Sequence, residues 1–193
     1  TYPRWMEKDM KSIVKFLIAI PISVFALQAQ ALTLDPASPY LVDTSATCDT
    51  TIVANCDQNN TNAIRDYIET AYSVDEYYKQ ELGGGEEGDF AGSYDASLTD
   101  SGGTITYTGS TAITCPECYL LVKDGNADPS WYLFDIGAVW DGTDTITLQD
   151  FWPSQGAISH VAIYGAPGQV PEPAPLALLA VGLMGVGLRR LKK

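Results

Sequence analysis

The sequence predicts a mainly β chain: an antiparallel β-sandwich with a short N-terminal helical segment, framed by two apolar segments that lie outside it. Three observations predict this. Beyond residue 90, short stretches rich in Val, Ile, Thr and aromatics recur between Gly, Asp and Pro, at the spacing of sandwich strands. One earlier stretch carries apolar residues at helical period. Basic residues flank the apolar runs at both ends of the chain and nearly vanish between them.

The first apolar run reads as an export signal. Residues 10–31 begin with Met10, Lys11 and Lys15, continue through the apolar run FLIAIPISVFAL (Phe16 to Leu27), and end in Ala29-Gln30-Ala31. That order is a basic n-region, an apolar h-region and small residues at −3 and −1, so cleavage is expected after Ala31. Residues 1–9 lie upstream of this logic and are expected to be an overextended start, with Met6 or Met10 as the real one.

The domain proper is expected over residues 32–168. Between Leu32 and Val170 stand three basic residues against 21 acidic ones, a balance of −18. Such a field repels nucleic acid and anionic lipid and keeps an exported domain soluble. Ile64, Tyr67, Ile68 and Ala71 recur at helical spacing between Asn60 and Tyr72, with Asn60, Thr61 or Asn62 available as N-cap. Ser73 to Leu82 is ambiguous, because Ser73 and Glu76 match a capping box while Val74, Tyr77 and Tyr78 suit a strand. The Gly83 to Gly88 loop ends whatever precedes it.

Strands are expected at Ser93 to Thr99, Thr104 to Tyr107, Tyr119 to Lys123, Trp131 to Val139, Asp144 to Leu148 and Ile158 to Tyr164. Alternation puts Leu120 with Val122, Tyr94 with Ala96 and Leu98, and Ile146 with Leu148 on shared faces. Asp100-Ser101-Gly102-Gly103 and Asp141-Gly142-Thr143 read as turns between neighbouring strands.

Residues 169–193 form the last segment. Val170-Pro171-Glu172-Pro173 precedes the apolar run Ala174 to Leu188, and Arg189, Arg190, Lys192 and Lys193 close the chain. The prolines fix an extended approach, the apolar run partitions into hydrocarbon as a transmembrane helix, and the basic cluster stays cytoplasmic as a membrane stop. Fifteen apolar residues rise only about 22 Å as a helix, so snorkelling by the basic residues and local thinning must cover the shortfall. This order of polar motif, apolar helix and basic end resembles the PEP-CTERM proteins. The segment Tyr119 to Tyr164 is also similar to a recurrent domain of those proteins. The resemblance implies an exosortase-type processing enzyme as partner, an inner-membrane-anchored precursor, and a final location at the cell surface or outside the cell.

Cys48, Cys56, Cys115 and Cys118 all fall in the exported part, where an even count reads as disulfides. Proximity favours Cys48 with Cys56 and Cys115 with Cys118 among three connectivities. Zinc is the alternative, although only Cys115 and Cys118 have the two-residue spacing of a zinc ligand pair. Asp124-Gly125-Asn126-Ala127-Asp128 begins like a calcium loop, but Pro129 stands where that loop needs Gly and the flanks read as strands. A hairpin turn is therefore the better account, and no metal or cofactor is assigned.

No nucleophile motif or phosphate loop is present, and His160, the single histidine, sits in an alternating strand where a structural role is expected. The expected protein is therefore a surface or extracellular-matrix component without catalysis. A carbohydrate-binding module for extracellular polysaccharide is the alternative, and a glycan-active enzyme a remote one. Trp140, Trp152 and Tyr132 are the candidate stacking residues if they form an exposed row.

Overall fold

The computed structural model describes residues 31–167, apart from 110, 115, 154 and 155. The expected signal sequence up to Gln30, with Ala29, lies outside the described residues. So do the sorting motif Val170 to Pro173 and the membrane stop Arg189, Arg190, Lys192 and Lys193. Among the described residues no helix is long and apolar enough to cross a membrane.

Among the described residues, ten strands and one helix follow in the order β1 (Leu32–Leu34), β2 (Leu41–Thr44), α1 (Thr61–Tyr72), β3 (Asp75–Glu81), β4 (Glu86–Glu87), β5 (Tyr94–Leu98), β6 (Gly103–Tyr107), β7 (Cys118–Asp124), β8 (Trp131–Asp135), β9 (Ile146–Leu148) and β10 (Ile158–Gly165). They build a four-stranded sheet in the order β1-β9-β6-β5 and a six-stranded sheet in the order β2-β8-β7-β10-β3-β4. The described residues are thus mainly β, with two sheets and one short helix, consistent with a β-sandwich. One departure from the expected antiparallel plan occurs at an edge: β1 pairs with β9 in parallel, Leu32 opposite Ile146 and Leu34 opposite Leu148. Those two strands are far apart in sequence, so no hairpin dictates their direction.

Two cores result, one on each face of the six-stranded sheet. Leu120 and Val122 of β7, Phe134 of β8 and Val161 and Ile163 of β10 meet Leu34, Tyr94, Ile105 and Ile146 of the smaller sheet. On the opposite face Leu121, Trp131, Leu133, Ala162 and Tyr164 pack against Ile64, Tyr67 and Ile68 of the helix. Period-two alternation sends neighbouring residues of one strand into different cores. Covering both faces explains why β7 and β10 are buried almost end to end, as strands between two layers must be.

Helix α1 starts where its cap allows. Asn60 accepts from the Ala63 N–H through its side chain, and Ser73 ends the helix in the left-handed region at φ 56°. Ser73 is therefore a C-cap, and the ambiguous stretch after it resolves as β3. The strand expected over Trp131 to Val139 is shorter, since main-chain bonds from Val139 and Trp140 to the Ile136 carbonyl turn the chain after Asp135. The turn at Asp141 holds as predicted, with its Oδ1 accepting from the Thr143 and Asp144 N–H groups. It connects the two sheets instead of neighbouring strands. Gly142 is required there: its φ is +87°, and a Cβ would lie 2.0 Å from the Ile113 carbonyl oxygen.

Candidate functional site

Cys48 and Cys56 are bonded to each other, with Cα atoms 6.3 Å apart. Cys118 is disulfide-bonded as well, while Cys115 lies outside the described residues. The zinc alternative loses its ligands to these bonds. The Cys48–Cys56 loop is pinned beneath α1, where the Trp131 indole N–H donates to the Cys56 carbonyl at 2.8 Å.

The three candidate stacking aromatics do not form an exposed row. Trp140 is 3% exposed, packed against Tyr94, and its indole N–H donates to the Asp144 carbonyl at 2.6 Å. Trp152 is 6% exposed, and its indole N–H donates to the Pro129 carbonyl at 2.7 Å. Both rings therefore serve the core, a position that sequence crowding could not distinguish from a surface one. The local backbone shows why. Asp150 and Trp152 occupy the left-handed region at φ 59° and 43°, and this double turn sends Phe151 and Trp152 inward together.

Tyr132 is the half-buried member of the trio. Its ring centroid lies 5.2 Å from that of Trp152, and both residues line a groove of about 310 Å³ with Pro36, Pro153 and the exposed carboxylates of Asp128 and Asp150. A ring wall beside two acceptor groups can hold a flat apolar face and take hydrogen bonds from its rim. The sequence reading missed Asp128 and Asp150, because the partners converge from separate loops.

The other polar concentration is basic. Lys123 on β7, His160 on β10 and Lys79 on β3 lie on adjacent strands, with His160 opposite both Lys123 and Glu81 in register. Burial first, then the Lys123 and Lys79 charges, push the His160 imidazole down to about 3, so it is neutral at any ordinary pH. Lys123 donates to Asn59 Oδ1 and, at 2.8 Å, to the Asp124 carbonyl, and burial holds its ammonium below the usual lysine range. Lys79 is held by Glu81 at 2.8 Å and Glu87 at 3.4 Å. A neutral, enclosed imidazole beside committed ammonium groups fills space at the end of the helix-side core.

Asp124 closes the β7–β8 hairpin. Its N–H donates to the Ser130 carbonyl at 2.9 Å, and its Oδ1 accepts from the N–H groups of Asn126 and Ala127. The flanks are strands, in keeping with the hairpin reading.

The C-terminal side decides what kind of protein carries this sandwich. β10 ends at Gly165, and the family model described as the PEP-CTERM protein-sorting motif matches residues 169–192. The chain carries a PEP-CTERM sorting motif. Such a motif marks an exported protein that is sorted and processed by an exosortase. No curated protein and no solved structure matches the chain. The match covers the tail alone and leaves the strands of residues 31–167 outside it.

Proposed function

We propose that this PEP-CTERM protein is a non-catalytic surface or extracellular-matrix component, delivered as a membrane-anchored precursor and released from its tail by an exosortase-type enzyme. The observation that carries the reading is the sorting motif at 169–192, directly after the last strand. Only residues 166–168 separate Gly165 from the matched segment, a span of about 10 Å fully extended. An anchored precursor would therefore hold the sandwich close to the outer face of the membrane, with Glu172 between two rigid prolines as the polar handle for processing. His160, the single histidine of the chain, is 4% exposed, so no imidazole is available for proton transfer at the surface.

The test is an immunoblot of fractionated cells from wild-type and exosortase-null strains. Glu172→Ala and the null strain are both expected to accumulate a membrane-bound precursor, and deletion of residues 174–193 to release a soluble domain. A tail that persists equally in wild type and null would make it a permanent anchor and overturn the reading.

A second reading is favoured by the groove between Tyr132 and Trp152. An aromatic wall flanked by Asp128 and Asp150 suits a saccharide ring, with its apolar face on Tyr132 and its hydroxyls donating to the carboxylates. In this reading the cargo binds extracellular polysaccharide.

A further inference from the structure

Asp124 carries an unfilled acceptor. Its carboxylate belongs to a residue that is 1% exposed; Oδ1 is occupied by the Asn126 and Ala127 N–H groups, and Oδ2 has no hydrogen-bond partner. Leaving half of a buried carboxylate unpaired is costly, so water or a ligand must reach Oδ2. The surroundings leave room for one. Asp124 lines a pocket of about 400 Å³ with Gly125, Asn126, Gly156, Ala157 and Ser159. Gly156 is pressed against the free oxygen, where a Cβ would stand 1.9 Å from Oδ2. Any other residue at 156 would fill the approach.

We propose that this pocket binds one divalent cation of the calcium type, with Asp124 Oδ2 as its anionic ligand. The division of labour within the carboxylate suits that role: one oxygen orders the turn through main-chain N–H groups while the other stays free to coordinate. The remaining lining supplies the Asn126 amide, the Ser159 hydroxyl and the main chain of Gly156 and Ala157, oxygen donors that hard cations prefer. Among the described residues no group of three or more His, Cys, Asp or Glu side chains is placed to hold a metal. Asp124 is the single carboxylate of the lining, which has no His or Cys, so the donor set is poor for zinc and sets a weak affinity. The Lys123 ammonium donates to the Asp124 carbonyl at 2.8 Å, so its charge opposes the cation and lowers the affinity further. The domain's acidic field adds long-range attraction.

The experiment is calcium equilibrium dialysis and thermal unfolding of the full chain in detergent, with calcium, magnesium or chelator. One calcium per chain is expected in the 10⁻⁴ to 10⁻³ M range, roughly that of weak extracellular modules, with an upward shift in Tm that magnesium reproduces poorly. Asp124→Asn keeps an oxygen for the turn N–H groups and removes the charge; it should abolish this site. Asn126→Ala, at an exposed position whose main-chain contact is retained, should weaken it at least tenfold, and decides the matter if Asp124→Asn fails to fold. Asp57→Asn, an exposed carboxylate elsewhere, should change nothing. Absence of saturable calcium binding by the folded wild type would overturn the proposal. So would a site that survives both Asp124→Asn and Asn126→Ala, or one lost equally in Asp57→Asn.

Discussion

The hydroxyl of Tyr67 on α1 donates to Oδ2 of Asp43 on β2 at 2.6 Å, joining the helix to an edge strand 24 residues away in sequence. Tyr72 donates to the same oxygen at 3.1 Å, and Thr47 Oγ1 and the Thr44 N–H fill Oδ1 at 2.6 and 2.8 Å. Asp43 is therefore a buried carboxylate with every acceptor direction used, in contrast to Asp124. Burial and the adjacent carboxylate push the Tyr67 phenol up to about 12, so it remains a donor across the accessible pH range. Replacement by Ala would leave the phenols of Tyr67 and Tyr72 without their acceptor, while the Thr44 N–H keeps Thr47 Oγ1 at 2.9 Å. Asp43→Ala should lose about 3 kcal/mol or more in urea unfolding. A loss below about 1 kcal/mol would mean that water replaces the carboxylate and that the helix is held by apolar contacts alone.

His160 predicts a pH dependence whose sign follows from its burial. Its folded value, about 3, lies below the ordinary 6.5, so the unfolded chain takes up a proton that the folded one refuses. The contribution to stability is complete above about pH 6.5 and is lost progressively as pH falls toward 3. Between pH 7 and pH 5 the loss should be about 2 kcal/mol. His160→Gln keeps a polar side chain without that titration, so its unfolding free energy should fall less over the same interval by about this amount. Equal slopes for the two proteins would show that His160 is protonated in the folded state.

How much of this was legible in the sequence depended on whether the signal was local. The strands around Tyr94, Ile105, Leu120, Leu133, Ile146 and Val161 announced themselves through alternation and turn residues, and the helix through its period and the Asn60 cap. β1, β2 and β4 have three, four and two residues and owe their pairing to distant partners, so no periodicity could mark them. The parallel β1–β9 pair is invisible for the same reason. The crowd of aromatics from Trp131 to Trp152 was visible, but its direction was set by the left-handed residues Asp150 and Trp152, a conformation that a bulky Trp does not advertise. Asp43 looked like any acidic residue among 21, because its importance lies in what the helix brings to it.

The Cys48–Cys56 bond closes a short loop that supports Trp131 through the Cys56 carbonyl. Restricting so short a loop in the unfolded chain is worth about 2 to 3 kcal/mol. A Cys48→Ser, Cys56→Ser double variant should unfold at correspondingly lower urea concentration and show altered Trp131 fluorescence. Non-reducing mass mapping of the exported wild type should recover the Cys48–Cys56 peptide and no free thiol. Recovery of either cysteine linked elsewhere would contradict the pairing.

The groove makes a prediction that separates its two aromatic residues. Trp152 is built into the core against Phe151 and Tyr132 and anchored to the Pro129 carbonyl, so Trp152→Ala should cost about 3 to 5 kcal/mol of stability whatever the groove binds. Tyr132 is half-buried and lies on the wall itself, so Tyr132→Ala is the variant that can report on binding. If the cargo holds a saccharide there, affinity for the host's own extracellular polysaccharide should fall by about 1 to 3 kcal/mol in Tyr132→Ala, by analogy with bases stacked on aromatic rings. Asp128→Asn with Asp150→Asn should weaken binding further, because neutral amides accept less strongly from sugar hydroxyls than carboxylates do. The measurement is calorimetric titration of each folded variant against the purified polymer. Unchanged affinity in Tyr132→Ala and in the double Asn variant would remove the groove as a sugar site and leave the structural reading alone.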